Sequence, residues 1–387
     1  MEKKRWIIKM IANKTIYITD ANCVTSLGFD LETNWNALVK GQSGIQFQEK
    51  YGNLSSIYAS IIEDEKLNES FLKVSIENTF TKLEKMLVLA LHPIVNKNKV
   101  TEKSVLILST TKGNISLLEN QELPIEEAQL AQLAKKINTF FGFKTEPIVV
   151  SNACVSGVLA VSVAKRMIQF GAYENAFVIA GDEISEFVLS GFNSFQAMSN
   201  LPCAPYDESR NGVTLGEAAA AVYISSEKPT KNAVAIIGDG AINDANHISG
   251  PSRTGEGLFK SIESAFKEAN ITKDKLDYIS AHGTATLYND EMEAIAFSRS
   301  HIDTVPINSL KGYYGHTLGA SGLLEIVIGL QSVYNEELLA SKGFKNSGVS
   351  IPIAILKENR KKEIKYFLKT ASGFGGCNTA ILFEKIN

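Results

Sequence analysis

The sequence predicts an α/β fold with two helices buried between two sheets, and three observations predict it. Short, continuously apolar runs alternate with helical patterns along the whole chain. Two of the helical segments open on small residues and are apolar nearly all round. Three short motifs carrying a cysteine and two histidines stand at or beside the ends of strand-like runs. Runs this short and this apolar suit strands covered on both faces, and helices without a polar face suit burial.

Taken in order, the first strand is expected at 15–19. The residues before it, Met1 to Lys14, carry basic residues ahead of a short apolar run that a lysine interrupts, and read as an extension rather than a signal peptide. Further strands are expected at 104–108, 148–150, 176–180 and 218–224, and a second series at 233–237, 277–280, 304–308 and 378–383. The two apolar helices span 154–169, with Ser156, Gly157 and Ala160 near the start, and 318–333, opening on Gly319, Ala320, Ser321 and Gly322. Small residues let such helices approach closely, so the natural arrangement sets them side by side between a sheet from each half. Glu227-Lys228-Pro229-Thr230 reads as the linker, giving halves at 15–228 and 231–387. No residue-level repeat relates the halves.

The chain has 387 residues, 44% of them hydrophobic and 21% charged, enough for a substantial core in an ordinary water-exposed protein. A net charge of -3 with no broad basic stripe argues against nucleic-acid binding. Cys23, Cys154, Cys203 and Cys377 lie far apart, with no C-x-x-C pair. That spacing speaks against a zinc ribbon or disulfide framework and suits a reducing, cytoplasmic setting. No apolar run reaches the roughly 18 residues of a membrane span.

Cys154, in Asn152-Ala153-Cys154-Val155-Ser156-Gly157, follows a strand and opens a buried helix. Free N–H groups and the helix dipole favour a thiolate at such a place and can lower the thiol pKa. A packed core cysteine is the plain alternative, but Gly and Ser beside the thiol leave it poorly packed. His282, in Ala281-His282-Gly283-Thr284-Ala285-Thr286, and His316, in Lys311-Gly312-Tyr313-Tyr314-Gly315-His316, sit in glycine-flanked junctions, whereas His92, His247 and His301 read as structural. A thiol and two imidazoles are the ingredients of covalent acyl transfer. They are also a zinc donor set, but no pair has the short spacing of zinc ligands.

These three motifs, in this order, resemble those of the β-ketoacyl-[acyl carrier protein] synthases, the elongating condensing enzymes of fatty-acid and polyketide synthesis. Three further stretches extend the resemblance from about residue 15 to 385. They are Pro205-Tyr206-Asp207 with Arg210, Gly212, Gly216 and Glu217; Asp290 with Glu293; and Gly373-Phe374-Gly375-Gly376-Cys377-Asn378. The resemblance implies a thiolase-like five-layer αβαβα fold with two pseudo-repeated halves. It also implies a decarboxylating Claisen condensation of an acyl group on Cys154 with malonyl-acyl carrier protein. By the same resemblance His282 and His316 hydrogen-bond the malonyl thioester carbonyl. Lys311 pairs with Glu325, as an ammonium inside an apolar segment requires. Asp290 and Glu293 are structural, and Phe374 is a mobile gate whose N–H joins that of Cys154 as an oxyanion hole. Lys112 and Phe192 fall at the acyl pocket, and Lys82 and Lys85 in the region that docks the acidic carrier protein. The expected assembly is a homodimer, or a heterodimer with a related synthase, formed through an edge strand at 176–180. No organic cofactor and no metal are expected.

The sequence departs from the family pattern in several places. Leu287 replaces a proline, Tyr206 a phenylalanine and Cys377 a threonine, and 191–205 is short. Lys112 puts a charge where elongating relatives have an apolar or small residue, which suits short, polar or unsaturated acyl chains and a specialised pigment or polyketide pathway at least as well as bulk fatty-acid synthesis. Two other readings remain: a non-catalytic chain-length partner, which would lack Cys154, and a thiolase, which would place a second cysteine as a base.

Overall fold

The computed structural model describes residues 14–77, 79–120, 124–229, 233–244 and 250–386. Ten strands form the central sheet: β1 (Ile16–Thr25), β2 (Ser104–Ser109), β3 (Ile148–Val150), β4 (Asn175–Asp182), β5 (Ala218–Ser225), β6 (Ala233–Asn243), β7 (Tyr278–Ser280), β8 (Ile307–Asn308), β9 (Tyr366–Gly373) and β10 (Cys377–Ile386). Five helices matter for the site: α1 (Lys82–Lys97), α2 (Ser156–Gln169), α3 (Glu256–Ala269), α4 (Leu287–Arg299) and α5 (Ser321–Asn335).

The strand order is β3-β2-β4-β5-β1 followed by β6-β10-β9-β7-β8. Read from its outer edge inward, the second half repeats the first strand for strand. Directions repeat as well: β2 runs parallel to β3 and β4, with β5 and β1 antiparallel, and β7 runs parallel to β8 and β9, with β10 and β6 antiparallel. The duplication that no residue-level repeat announces is therefore plain in the winding. The two sheets expected from the sequence are continuous, because Ile16 and Ile18 of β1 pair with Ile236 and Val234 of β6.

Helices α2 and α5 contact each other and strands of both halves, while α1 covers the outer face of the first half and α3 that of the second. The close approach of α2 and α5 has a visible cause. A Cβ on Gly157 would lie 2.7 Å from the Leu323 nitrogen, and one on Gly322 would lie 2.5 Å from Val158 Cγ2. Ala160, Val161 and Ala164 of α2 share one core with Leu323, Ile326 and Leu330 of α5. Lys165, buried on α2, is tied to the second half by Asp239 at 2.8 Å and by Glu268.

Three expectations change. The run 176–180 is not an edge: β4 is paired on both sides, and the edge of that half is β3. The first turn of the helix expected at 318–333 is a 3-10 turn, Leu318–Ala320, before α5 proper, and the strand expected at 304–308 shrinks to β8. Strand β9 went unpredicted because Lys369, Thr370 and Ser372 break its apolar run, yet all three are buried. Also unpredicted were the hairpin Gln46–Tyr51 and Leu54–Ser60, which pairs with Leu215–Gly216 in a separate small sheet. Among the described residues no helix is long and apolar enough to cross a membrane.

Candidate active site

Cys154 is carried on a tight elbow between β3 and α2. Ala153 is forced to φ +43°, a left-handed conformation that costs a residue with a Cβ on the order of 1–3 kcal/mol. The Ser156 hydroxyl accepts the Asn152 N–H at 2.7 Å and donates to the Ala153 carbonyl at 2.6 Å, bracing the turn. The elbow turns the thiol toward a cavity of about 380 Å³ that Phe192, His282, His316 and Phe374 also line. The strain recurs at both histidine loops, with Ala285 at φ +63° and Leu318 at φ +52°.

The His282 loop, just after β7, is held by carboxylates from α4. Glu293 accepts the His282 and Gly283 N–H groups at 2.9 and 2.7 Å and the Tyr206 hydroxyl at 2.9 Å. Asp290 accepts the Thr284 N–H at 2.9 Å and the Tyr206 N–H at 2.7 Å. Burial, with Glu293 adding to it, pushes the Asp290 carboxyl up to about 7. Both acids hold backbone and neither lines the cavity.

His316 has its tautomer fixed. Its Nδ1 accepts the Leu318 N–H at 3.0 Å and lies 3.0 Å from the Ser321 hydroxyl. A neutral imidazole that accepts at Nδ1 carries its proton on Nε2. His282 Nδ1, by contrast, is buried without a hydrogen-bond partner among the described residues. The two rings are 5.2 Å apart and nearly perpendicular, and the Cys154 sulfur and one nitrogen of each ring lie within 4.8 Å of one another. Three such donors fit a zinc ion in number. The tautomer of His316 argues against it, because an Nε2 that carries a proton offers no lone pair.

Behind the rings lies a buried charge cluster. Lys311 Nζ reaches Glu325 Oε1 at 2.7 Å and the His282 carbonyl at 2.6 Å. Lys369 ion-pairs with Glu325 Oε2 at 2.6 Å, off the line of a hydrogen bond, and donates to the Ser280 and Ala281 carbonyls at 3.1 and 3.2 Å. Glu325 therefore serves two ammonium groups, one more than the sequence suggested. Burial, then the charge of Lys311 and its neighbours, holds both imidazoles well below the usual histidine range.

The thiol does not follow the expectation of a lowered pKa. Burial pushes Cys154 up to about 12, with Cys377 adding to it, while Lys311 and a hydrogen bond from the Phe374 N–H pull the other way. Helix α2 begins at Ser156, two residues beyond the thiol, so desolvation outweighs the dipole.

Phe374 is 38% exposed, and its ring rests on Phe192 at 5.7 Å and Phe195 at 5.6 Å. Gly375 and Gly376 follow at φ +85° and +76°, conformations open to glycine. Phe192 also lies 6.5 Å from His316. The Cys377 sulfur packs under the elbow, 3.4 Å from the Phe374 carbonyl and 3.9 Å from that of Asn152, outside the cavity lining.

Lys112 and Lys82 lie outside the cavity lining. Lys112 is exposed on the chain and does not line the cavity; its backbone N–H, rather than its ammonium, faces inward. Lys82 lies 2.8 Å from buried Glu217 and 3.1 Å from Asp64, so it serves as a counter-ion to a buried carboxylate. Lys85 is half-buried and donates to Asn68 at 2.8 Å. His92 and His301 lie outside the cavity lining, and His247 falls outside the described residues.

Two like-wound halves that bring a thiol and one imidazole to the starts of their paired central helices, and a second imidazole to the loop after β7, define a thiolase-like condensing-enzyme fold. The chain belongs to the β-ketoacyl synthase family: the model of the N-terminal domain of beta-ketoacyl synthases matches 13–229 and that of the C-terminal domain matches 234–345. It is 27% identical to a putative mitochondrial 3-oxoacyl-[acyl-carrier-protein] synthase of Schizosaccharomyces pombe, over 96% of this chain and 99% of that one. It is 25% identical to the 3-oxoacyl-[acyl-carrier-protein] synthase 2 of Vibrio harveyi, over 97% and 100%. Among solved structures it resembles a ketosynthase in complex with its chain length factor from Xenorhabdus doucetiae, with a TM-score of 0.85, 23% identity and coverage of 96% and 98%. It also resembles the ishigamide ketosynthase/chain length factor, with a TM-score of 0.87, 19% identity and coverage of 97% and 100%.

The depressed imidazoles give a direct test. An unfolded chain takes up these protons near pH 6.5 and the folded one does not, so each histidine withdraws stability as pH falls through about 6.5. The ring resonances of His282 and His316, assigned with His→Asn variants, are expected to stay constant by NMR from about pH 8 to pH 6. Either one titrating midway through that range would contradict the reading.

Proposed function

We propose that the protein catalyses the decarboxylating condensation of an acyl group, held on Cys154, with malonyl-acyl carrier protein to give 3-oxoacyl-acyl carrier protein. One observation carries the reading: the buried thiol faces two neutral imidazoles across a single cavity, with the Phe374 N–H directed at the sulfur.

The acyl thioester enters by the cavity and the Cys154 sulfur attacks its carbonyl carbon. The thiol is protonated at rest, so its proton must leave as the bond forms. His282, whose Nδ1 has no hydrogen-bond partner among the described residues, is the acceptor in reach. The oxyanion sits on the Phe374 and Cys154 N–H groups, where donors fixed in a dry site act strongly. The carbon–sulfur bond to the carrier's arm then breaks, and the arm's thiolate takes the proton from His282. Malonyl thioester binds next, its carbonyl oxygen receiving the Nε2–H of His316 and a proton-bearing nitrogen of His282. The carbon–carbon bond to the carboxylate breaks and carbon dioxide leaves. The electron pair passes to the enolate, which attacks the acyl carbonyl. Cys154 departs as thiolate and regains one proton from water. Lys311, Lys369 and Glu325 hold the His282 loop and keep the imidazoles neutral, which makes them positioning residues.

Two other readings fare worse. A partner lacking catalysis has no use for this thiol. A thiolase needs a second cysteine facing the substrate, and Cys377 faces the elbow backbone instead. The test is product analysis: 3-oxoacyl-carrier and carbon dioxide in equal amounts support the reading, and reaction without carbon dioxide release refutes it.

We place the dimer contact on β3, the outermost strand beside the nucleophile, in a homodimer or with a related synthase; two ketosynthase relatives are described with a chain length factor. Sedimentation at micromolar concentration is expected to give a dimer, alone or with that relative. A monomer with full condensing activity would contradict it.

A further inference from the structure

An acyl group on Cys154 has two places to lie. One is the cavity, which must also admit the malonyl thioester and its arm. The other is the protein behind the thiol, where none of 109–114, Asp182 and Gly319 lines the cavity and the packing is tight. The wall abuts the first turn of α2, since a Cβ on Gly157 would meet the Gly319 carbonyl at 2.9 Å. Ser109 Oγ contacts the same carbonyl at 3.4 Å from the other side.

One carboxylate ties the 110–112 loop to Gly319. Asp182, 1% exposed at the end of β4, accepts the Thr110 hydroxyl at 2.9 Å, the Thr111 hydroxyl at 3.0 Å and the Thr111 N–H at 3.0 Å. The Lys112 N–H approaches at 3.4 Å, and the Gly319 N–H, in the turn that opens toward α5, donates at 2.7 Å. No salt bridge reaches it among the described residues. A buried carboxylate with only neutral donors costs stability that hydrophobic packing would not, so its place here needs a purpose beyond cohesion. The Thr111 methyl completes the contact, 3.0 Å from where a Gly319 Cβ would stand.

We infer that Asp182 determines acyl-chain length by latching the 110–112 loop to Gly319, so that the site accepts short acyl groups and refuses long saturated ones. This rests on the condensing reading above, and it moves selectivity from the Lys112 ammonium to the carboxylate that binds the Lys112 backbone. The latch joins an element of the first half to one of the second, directly behind the nucleophile's helix. A long chain would have to part them and leave several N–H and O–H groups unpaired.

The test is the rate of acylation of the full-length protein by acetyl-, hexanoyl- and dodecanoyl-acyl carrier protein, read by intact-protein mass spectrometry. The native protein should favour acetyl over dodecanoyl by at least about tenfold. Asp182→Ala should narrow that ratio severalfold, and Thr111→Ala, which leaves the carboxylate in place, should narrow it less. Thermal melts report which variants fold, and Thr111→Ala decides the matter if Asp182→Ala does not. A native ratio near one, or folded variants that keep the native ratio, would overturn the inference while leaving the condensing reading intact. No adduct from any chain length would overturn both.

Discussion

Cys154→Ala is expected to lose acyl-enzyme formation completely and to lower condensation to below about one part in a thousand of the native rate, since Cys154 supplies the only thiol among the described residues that line the cavity. Decarboxylation of malonyl-carrier should survive, because the two imidazoles and their charge cluster do not depend on the sulfur. That split separates a nucleophile from a structural cysteine: a variant that lost both activities through misfolding would also lose its thermal transition. The adduct and the released carbon dioxide are measured separately, by intact mass and by headspace or coupled assay. An acyl adduct that persists in Cys154→Ala would sink the assignment.

The second large effect is on stability. Glu325→Gln leaves the Lys311 and Lys369 ammonium groups buried with one neutral amide between them. Breaking a buried pair from one side costs about 3–5 kcal/mol, and here one carboxylate answers two cations. The unfolding midpoint in denaturant should fall accordingly. Adding Lys369→Met should recover part of the loss, because it removes a cation that the neutral amide cannot answer. A Glu325→Gln protein as stable as native, or a double variant no better than the single, would mean that the cluster is not held by charge.

Much of the site was legible because its chemistry needs special residue types at special junctions. A cysteine beside Ser156 and Gly157 at a strand end, and histidines beside Gly283 and Gly315, are hard to explain as packing. Helices α2 and α5 were legible for the same reason, since Gly157 and Gly322 mark a close approach that no Cβ permits. What stayed hidden depends on contacts between residues far apart in the chain. Lys369 looks like an ordinary exposed lysine until Glu325 and the carbonyls of β7 and the loop after it are seen around it. Asp182 looks like the polar end of a strand until the 110–112 loop and Gly319 converge on it. The thiol's high pKa is also a tertiary effect, since sequence shows the helix start but not the burial that overrides it. The edge strand was misplaced because β2, β3 and β4 are similarly apolar, and only the crossover order puts β3 outermost.

The central claim is that Cys154 carries the acyl group through a decarboxylating condensation. The most direct measurement is mass spectrometry of the native protein, first with acetyl-acyl carrier protein and then with malonyl-acyl carrier protein. The account predicts one acetyl adduct, mapped to the Cys154 peptide, which disappears on addition of malonyl-carrier as 3-oxobutanoyl-carrier and one equivalent of carbon dioxide appear. An adduct on Cys377, or a Cys154 adduct that malonyl-carrier leaves in place, would contradict it.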